Sequence, residues 1–140
     1  MKKTHVKDEY NRIISFPCGP TYDLVTSTLI HAHPVKLGFP KCPTRWIMVR
    51  KKGGISEVIY EVKKTIDCFP DEVDQIDSEY KERIKKYVDT RRYSFGFKTK
   101  DKPYRFYILK KAFELNPPYV MEPNLQSYKY YELEEILDNR

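Results

Sequence analysis

The chain has 140 residues, 40% hydrophobic and 33% charged, with a formal net charge of +6 and a pI near 9.1. That length suits one domain that closes a core without staples, and an aromatic share of 14% argues against a disordered chain. No apolar run reaches the ~18 residues of a membrane span, and the basic N-terminus leads into no apolar segment of signal-peptide type.

Cys18, Cys42 and Cys68 lack any C-x-x-C spacing, which speaks against a disulfide framework and a zinc knuckle and for free thiols in a reducing compartment. The expectation is a soluble, cytoplasmic protein with no cofactor and no membrane partner. The positive balance suits solubility and an anionic partner alike.

Residues 1–10 are polar and read as loosely ordered. Ile13, Ile14 and Phe16 form a short apolar run closed by Pro17, Gly19 and Pro20. Residues 22–32 fit either a strand or a short helix. Val25, Thr26, Thr28 and Ile30 favour the strand, whereas Leu24, Thr28 and His31 fall at helical spacing. His31 and His33 would share one strand face, half of a metal site, but no further His or Cys stands at matching spacing. Pro34, Gly38, Pro40 and Pro43 mark an irregular connection.

Residues 45–66 carry the strongest local signal. Trp46, Ile47, Val49, Ile55, Val58, Ile59, Tyr60 and Val62 are the β-branched and aromatic types that fit a pleated surface. Between them, Lys51-Lys52-Gly53-Gly54 supplies a turn, its glycines able to take the positive φ of a tight hairpin. After Pro70, the residues Val73, Ile76, Tyr80, Ile84, Tyr87 and Val88 recur at helical steps, with acidic side chains in the first half and basic ones in the second. Residues 91–97 read as a short strand and 98–102 as a charged turn. Residues 104–111 read as a strand apolar on both faces, as in the middle of a sheet or a barrel wall. Pro117 and Pro118 break the chain, and residues 131–137 read as a short closing helix. The order predicts a mixed, mainly antiparallel α+β domain whose sheet curls into a small barrel.

The succession of W-I-x-V at 46–49, Gly54-Ile55 with Tyr60 and Val62, an interrupting helix, Y-R-F-Y-I-L-K at 104–110 and Y-Y-x-L-E-E-I-L at 130–137 resembles the PUA-like superfamily, in particular its EVE and ASCH branches. The resemblance covers about residues 43–137. It implies a single PUA-like domain over 1–140, a β pseudobarrel with helices near its openings, and binding of RNA or of a modified or flipped base beside the barrel.

Candidate contacts follow from the side chains. Within 81–111 cations outnumber carboxylates and are interleaved with rings, a pattern suited to phosphates and stacked bases. Arg91, Arg92, Lys51 and Lys52 are the expected phosphate ligands, joined by Arg105. Trp46, Tyr60 and Phe95 are the expected lining of a base pocket. Trp46 and Tyr60 fit an ordinary strand core as well. Nucleic acid, RNA or DNA, is thus the expected partner, without catalysis. A small hydrolase acting on RNA or a modified nucleoside is the alternative, with Tyr60, Glu61 and Lys63 as its polar inventory. Strand alternation, however, puts Glu61 and Lys63 on the face opposite Tyr60. No Walker loop, G-x-S-x-G elbow or H-E-x-x-H motif is present. A protein-interaction or inhibitor module is the third reading.

Overall fold

In the computed structural model the described residues are 11–40, 44–121 and 127–138. The expected hairpin forms as read. β3 (Trp46–Arg50) and β4 (Ile55–Cys68) pair antiparallel, with Ile47 opposite Tyr60. Gly53 and Gly54 turn the chain at φ 91° and 75°, and the Gly54 N–H donates to the Lys51 carbonyl at 3.0 Å. β5 (Tyr104–Val120) lies antiparallel along β4, as expected of the 104–111 run, and also pairs with β2 (Ile30–Pro34). β1 (Arg12–Pro17) runs parallel to β3 and antiparallel to β6 (Lys129–Glu132).

The resulting sheet has six strands in the order β2-β5-β4-β3-β1-β6. In a flat sheet β1 and β2 would stand four strand spacings apart, ~19 Å. Instead the rings of Phe16 on β1 and His31 on β2 are 4.3 Å apart, centroid to centroid. The sheet therefore curls into a half-barrel flanked by helices, the α+β pseudobarrel architecture that the sequence suggested. No helix among the described residues is long and apolar enough to cross a membrane.

Strand alternation divides the apolar side chains. Ile14, Phe16, Ile47, Val49, Tyr60, Tyr107 and Leu109 point into the barrel. On the outside, Tyr104, Phe106 and Ile108 of β5 pack with Leu24 of α1 (Tyr22–Thr28) and with Ile84, Tyr87 and Val88 of α2 (Lys81–Ser94). At the other end Ile13, Trp46, Met48 and Ile59 pack under Ile136 of α3 (Leu133–Asp138). Central strands buried on both sides explain why β3 and residues 104–111 show little polar alternation.

Several local expectations are corrected. Residues 22–32 are neither one strand nor one helix. α1 ends at Leu29, which takes the left-handed conformation at φ 58°, and β2 starts at the next residue. The Leu29 N–H closes the helix on Val25 while its carbonyl accepts from Leu109, so this one residue switches the chain from helix to sheet. The stripe beginning at Val73 is split. Pro70–Gln75 forms a 3-10 turn, and α2 begins only at Lys81, after the Ser78 hydroxyl accepts from the Tyr80 N–H at 3.1 Å. At its far end α2 continues to Ser94, so the expected strand over 91–97 is absent. Gly96, at φ 81°, donates its N–H to the Arg91 carbonyl and stops the helix in the manner of a Schellman cap.

β5 runs on past Pro117 and Pro118 because its register with β4 shifts between Ser56 and Val58, leaving the prolines in the irregular stretch. Residues 129–132 add a strand ahead of a shorter closing helix. The expectation for residues 1–10, and those on Cys42 and Pro43, lie outside the described residues.

Candidate functional site

Curling brings β1 and β2 face to face without pairing them, and a cleft of about 730 Å³ opens at this seam. Phe16 and Cys18 come from the end of β1, His31 and His33 from β2, and Lys36 and Phe39 from the loop that follows. The C-terminal end of α2 and the segment after it add Arg91, Phe95 and Lys98, and Tyr128 enters from ahead of β6. Arg50 braces that last segment, its guanidinium donating to the carbonyls of Ser15 and Ser127. Among the described residues no carboxylate lines the cleft.

The floor is aromatic and uncharged. Phe16 lies against His31, and Phe39 stacks on His33 at 5.2 Å with ring planes only 6° apart. His33 Nδ1 lies 2.8 Å from the Pro34 carbonyl, which can only accept, so Nδ1 carries the proton. Nε2 of His33 then accepts from the Tyr107 hydroxyl, also at 2.8 Å. Burial pulls His33 down to about 4 and holds His31 well below the usual imidazole range. It also pushes the Cys18 thiol up to about 12. At neutral pH the floor thus presents two neutral imidazoles and a thiol. No group of three or more His, Cys, Asp or Glu among the described residues could hold a metal ion.

Positive charge sits around this floor. Arg91 donates to the carbonyls of Gly96 and Ala32 and to the Tyr87 hydroxyl, and its guanidinium lies 4.5 Å from the centre of the Phe97 ring. It braces the C-terminus of α2 against β2 and offsets the partial negative charge of the last helical carbonyls. Lys36 and Lys98 are exposed at the lining, with Lys36 donating to the Thr99 hydroxyl across the mouth. Phe95 is 44% exposed beside them.

Of the residues singled out in the sequence, Arg91 and Phe95 are brought together at the cleft. Lys51 pairs with Glu57 at 3.1 Å, and Lys52 is exposed in the hairpin turn. Arg92 pairs with Asp71 at 2.7 Å, and Arg105 grips both carboxylate oxygens of Asp67. Trp46 is 7% exposed within the core under α3, covered by the Arg45 guanidinium at 4.6 Å. Tyr60 is 1% exposed inside the barrel.

A shallower depression runs past Tyr22, whose hydroxyl donates to Glu57 at 2.6 Å. That bond and the one from Lys51 hold the Glu57 carboxyl below the usual range, as befits a surface tie more than a proton donor. Sequence reasoning placed Lys98 in the basic stretch 81–111 but missed Phe16, Cys18, Lys36, Phe39 and Tyr128 as lining. It noticed the His31/His33 pair but weighed it only as metal ligands. The available signal was that two histidines on a strand so rich in apolar neighbours need partners, from the protein or from a ligand.

No protein-family model matches the chain, and no curated protein matches it. Among solved structures it is similar to the crystal structure of an ASCH protein from Zymomonas mobilis, determined as a serine-to-alanine mutant. The TM-score is 0.56 at 9% identity, over 93% of this chain and 94% of that one. At that identity the likeness is one of fold, and its 93% share of this chain exceeds the span of about 43–137 over which the sequence pattern matched.

Proposed function

We propose that this chain, which has the fold of an ASCH protein, is a nucleic-acid-binding module that takes an unstacked base into the cleft between β1 and β2. The observation that carries the reading is the make-up of the cleft: aromatic faces on an uncharged floor, cations at the rim and no carboxylate among the described residues of the lining. A base stacked on an open ring gains ~1–3 kcal/mol, and Phe95 is the open ring at the lip. Lys36 and Lys98 would neutralise the flanking phosphates and release counterions. Lys52 extends that track, since its turn follows Arg50, whose carbonyl accepts from the Cys18 N–H in the cleft wall. Arg91 acts as a braced charge, its Nε and Nη1 donors being engaged within the protein. Trp46 and Tyr60 play no part, having no open face.

Binding is favoured over hydrolysis by the state of the floor. An imidazole pulled down to about 4 is a weak base at neutral pH, and among the described residues no carboxylate lines the cleft to act in its place.

The test is titration of labelled single-stranded RNA and DNA at several salt concentrations. Two to three phosphate contacts predict a log–log salt slope of about −1.4 to −2.1. Lys36→Glu combined with Lys98→Glu should flatten that slope and weaken binding about tenfold or more for every sequence. No binding to RNA or DNA at low salt, or an affinity indifferent to salt, would overturn the proposal.

A further inference from the structure

One polar atom in the cleft stands apart from its neighbours. His31 is 7% exposed, and its Nε2 has no hydrogen-bond partner among the described residues. By contrast both nitrogens of His33, in the same lining, are engaged, and elsewhere in the core the hydroxyls of Thr28 and Ser56 are satisfied by the Leu24 and Val49 carbonyls. Leaving a buried polar atom unpaired is costly enough that folds rarely do so without a use for it. His31 lines the same cleft in which the base is proposed to sit. Its other nitrogen, Nδ1, lies 3.7 Å from Sγ of Cys18, at hydrogen-bond distance for sulfur.

We propose that Nε2 of His31 is the atom that reads the inserted base, donating its proton to a carbonyl oxygen on the base's inner edge, with Cys18 as the positioning residue that fixes this tautomer. The inference rests on the base-binding reading above and names the ligand class: a nucleotide whose base carries an oxo group where it meets β2.

The tautomer follows from the pair. A ring nitrogen's lone pair is a far better acceptor than a thiol sulfur, so the Cys18 S–H points at Nδ1. A neutral imidazole has one proton, and with Nδ1 accepting, that proton is on Nε2. The high thiol pKa and the low imidazole pKa keep both groups neutral, so the arrangement persists across the physiological range. An N–H fixed in this way matches a carbonyl and is mismatched against an exocyclic amino group. His33 does not compete, since both its nitrogens are already engaged.

The test uses an oligonucleotide of abasic units carrying one hypoxanthine, one adenine or no base, so that phosphates stay constant while an oxo group replaces an amino group. The hypoxanthine probe should bind about 10- to 100-fold tighter than the adenine probe, the span expected of one well-placed polar discrimination. His31→Phe should erase that preference and leave the salt slope unchanged, whereas His31→Gln, which keeps an N–H near the same point, should retain part of it. In ¹⁵N NMR of the wild-type protein His31 should be protonated at Nε2. Cys18→Ala should move the proton toward Nδ1 and lower or reverse the oxo preference.

Equal binding of hypoxanthine and adenine, both tighter than the base-free probe, would overturn this inference while base binding stands. No gain from either base over the base-free probe would overturn the base-binding reading itself. Should His31→Phe fail to fold, a proton found on Nδ1 of His31 in the wild type overturns the inference alone.

Discussion

Around Trp46, on the outer face of β3, the indole is packed among Ile13, Met48 and Ile136, and the cation above it, Arg45, is also bonded to Glu61 at 3.3 Å. At the seam between β1 and β2, rings of the same kind border open space, and the described lining has lysines but no carboxylate. Composition does not separate the two regions, for both mix aromatics with basic residues. They differ in where each group finds its partner. Around Trp46 every ring face and guanidinium named has one inside the protein. In the cleft Nε2 of His31 has none among the described residues. A ring or cation becomes a recognition element only when folding leaves its interaction incomplete.

Replacing the core ring should have the largest effect. Trp46→Ala is expected to destabilise the fold by about 3–5 kcal/mol in equilibrium denaturation, as for other large core truncations. Affinity per folded molecule should be unchanged. A loss of binding in excess of the unfolded fraction would break the comparison by moving Trp46 into the site.

Acid should act next, and at the cleft. His33 titrates at about 4 when folded against 6.5 when free, so between these values the unfolded chain binds more protons. Stability is therefore complete above about pH 6.5 and is lost as pH falls toward 4, by up to about 3 kcal/mol. His31 is shifted the same way and adds to the loss. His33→Phe should flatten the dependence seen in denaturant melts across that window. An unaltered pH profile in the variant would mean that the floor is not held neutral at a cost.

A smaller effect sharpens the contrast within the cleft. Tyr107→Phe takes away the donor to His33 Nε2 and should cost about 1–3 kcal/mol by chemical denaturation. A neutral result would mean that His33 is as incompletely paired as His31, and the distinction between them would vanish.

The smallest effect belongs to the surface. Arg92→Ala breaks an exposed pair with Asp71 and should change stability by less than about 1 kcal/mol, with the difference shrinking further in high salt. A larger, salt-insensitive loss would place Arg92 with the braced cations such as Arg91.

The hairpin and β5 could be read in the sequence because their signals are local. β-branched and aromatic residues on both sides of a Lys-Lys-Gly-Gly turn fix the pairing within about twenty residues. The ends of α2 were less readable. Ser78 and Gly96 punctuate the helix through hydrogen bonds of their own, while Tyr93 and Phe95 look strand-like in isolation. Residues 22–32 were ambiguous because a single left-handed residue, Leu29, divides two structures that each satisfy part of the pattern. The candidate site was the least readable. Phe16, His31, Phe39, Arg91 and Tyr128 are far apart in the chain and meet only because a six-stranded sheet curls.

By itself, then, the sequence determined the class of fold, the central hairpin, its β5 partner and a basic, aromatic character compatible with nucleic acid. Each is set by the spacing of neighbours along the chain. Only the tertiary structure decided which rings and cations stay available. Curling buried Tyr60 inside the barrel, α3 covered Trp46 on the outer face, and strand pairing set Arg45 and Arg105 beside acids on adjacent strands. Curling also left His31 in the lining of a cleft with one nitrogen unmatched among the described residues. Availability is a matter of what else comes within about three ångströms of an atom, and sequence spacing does not encode that distance.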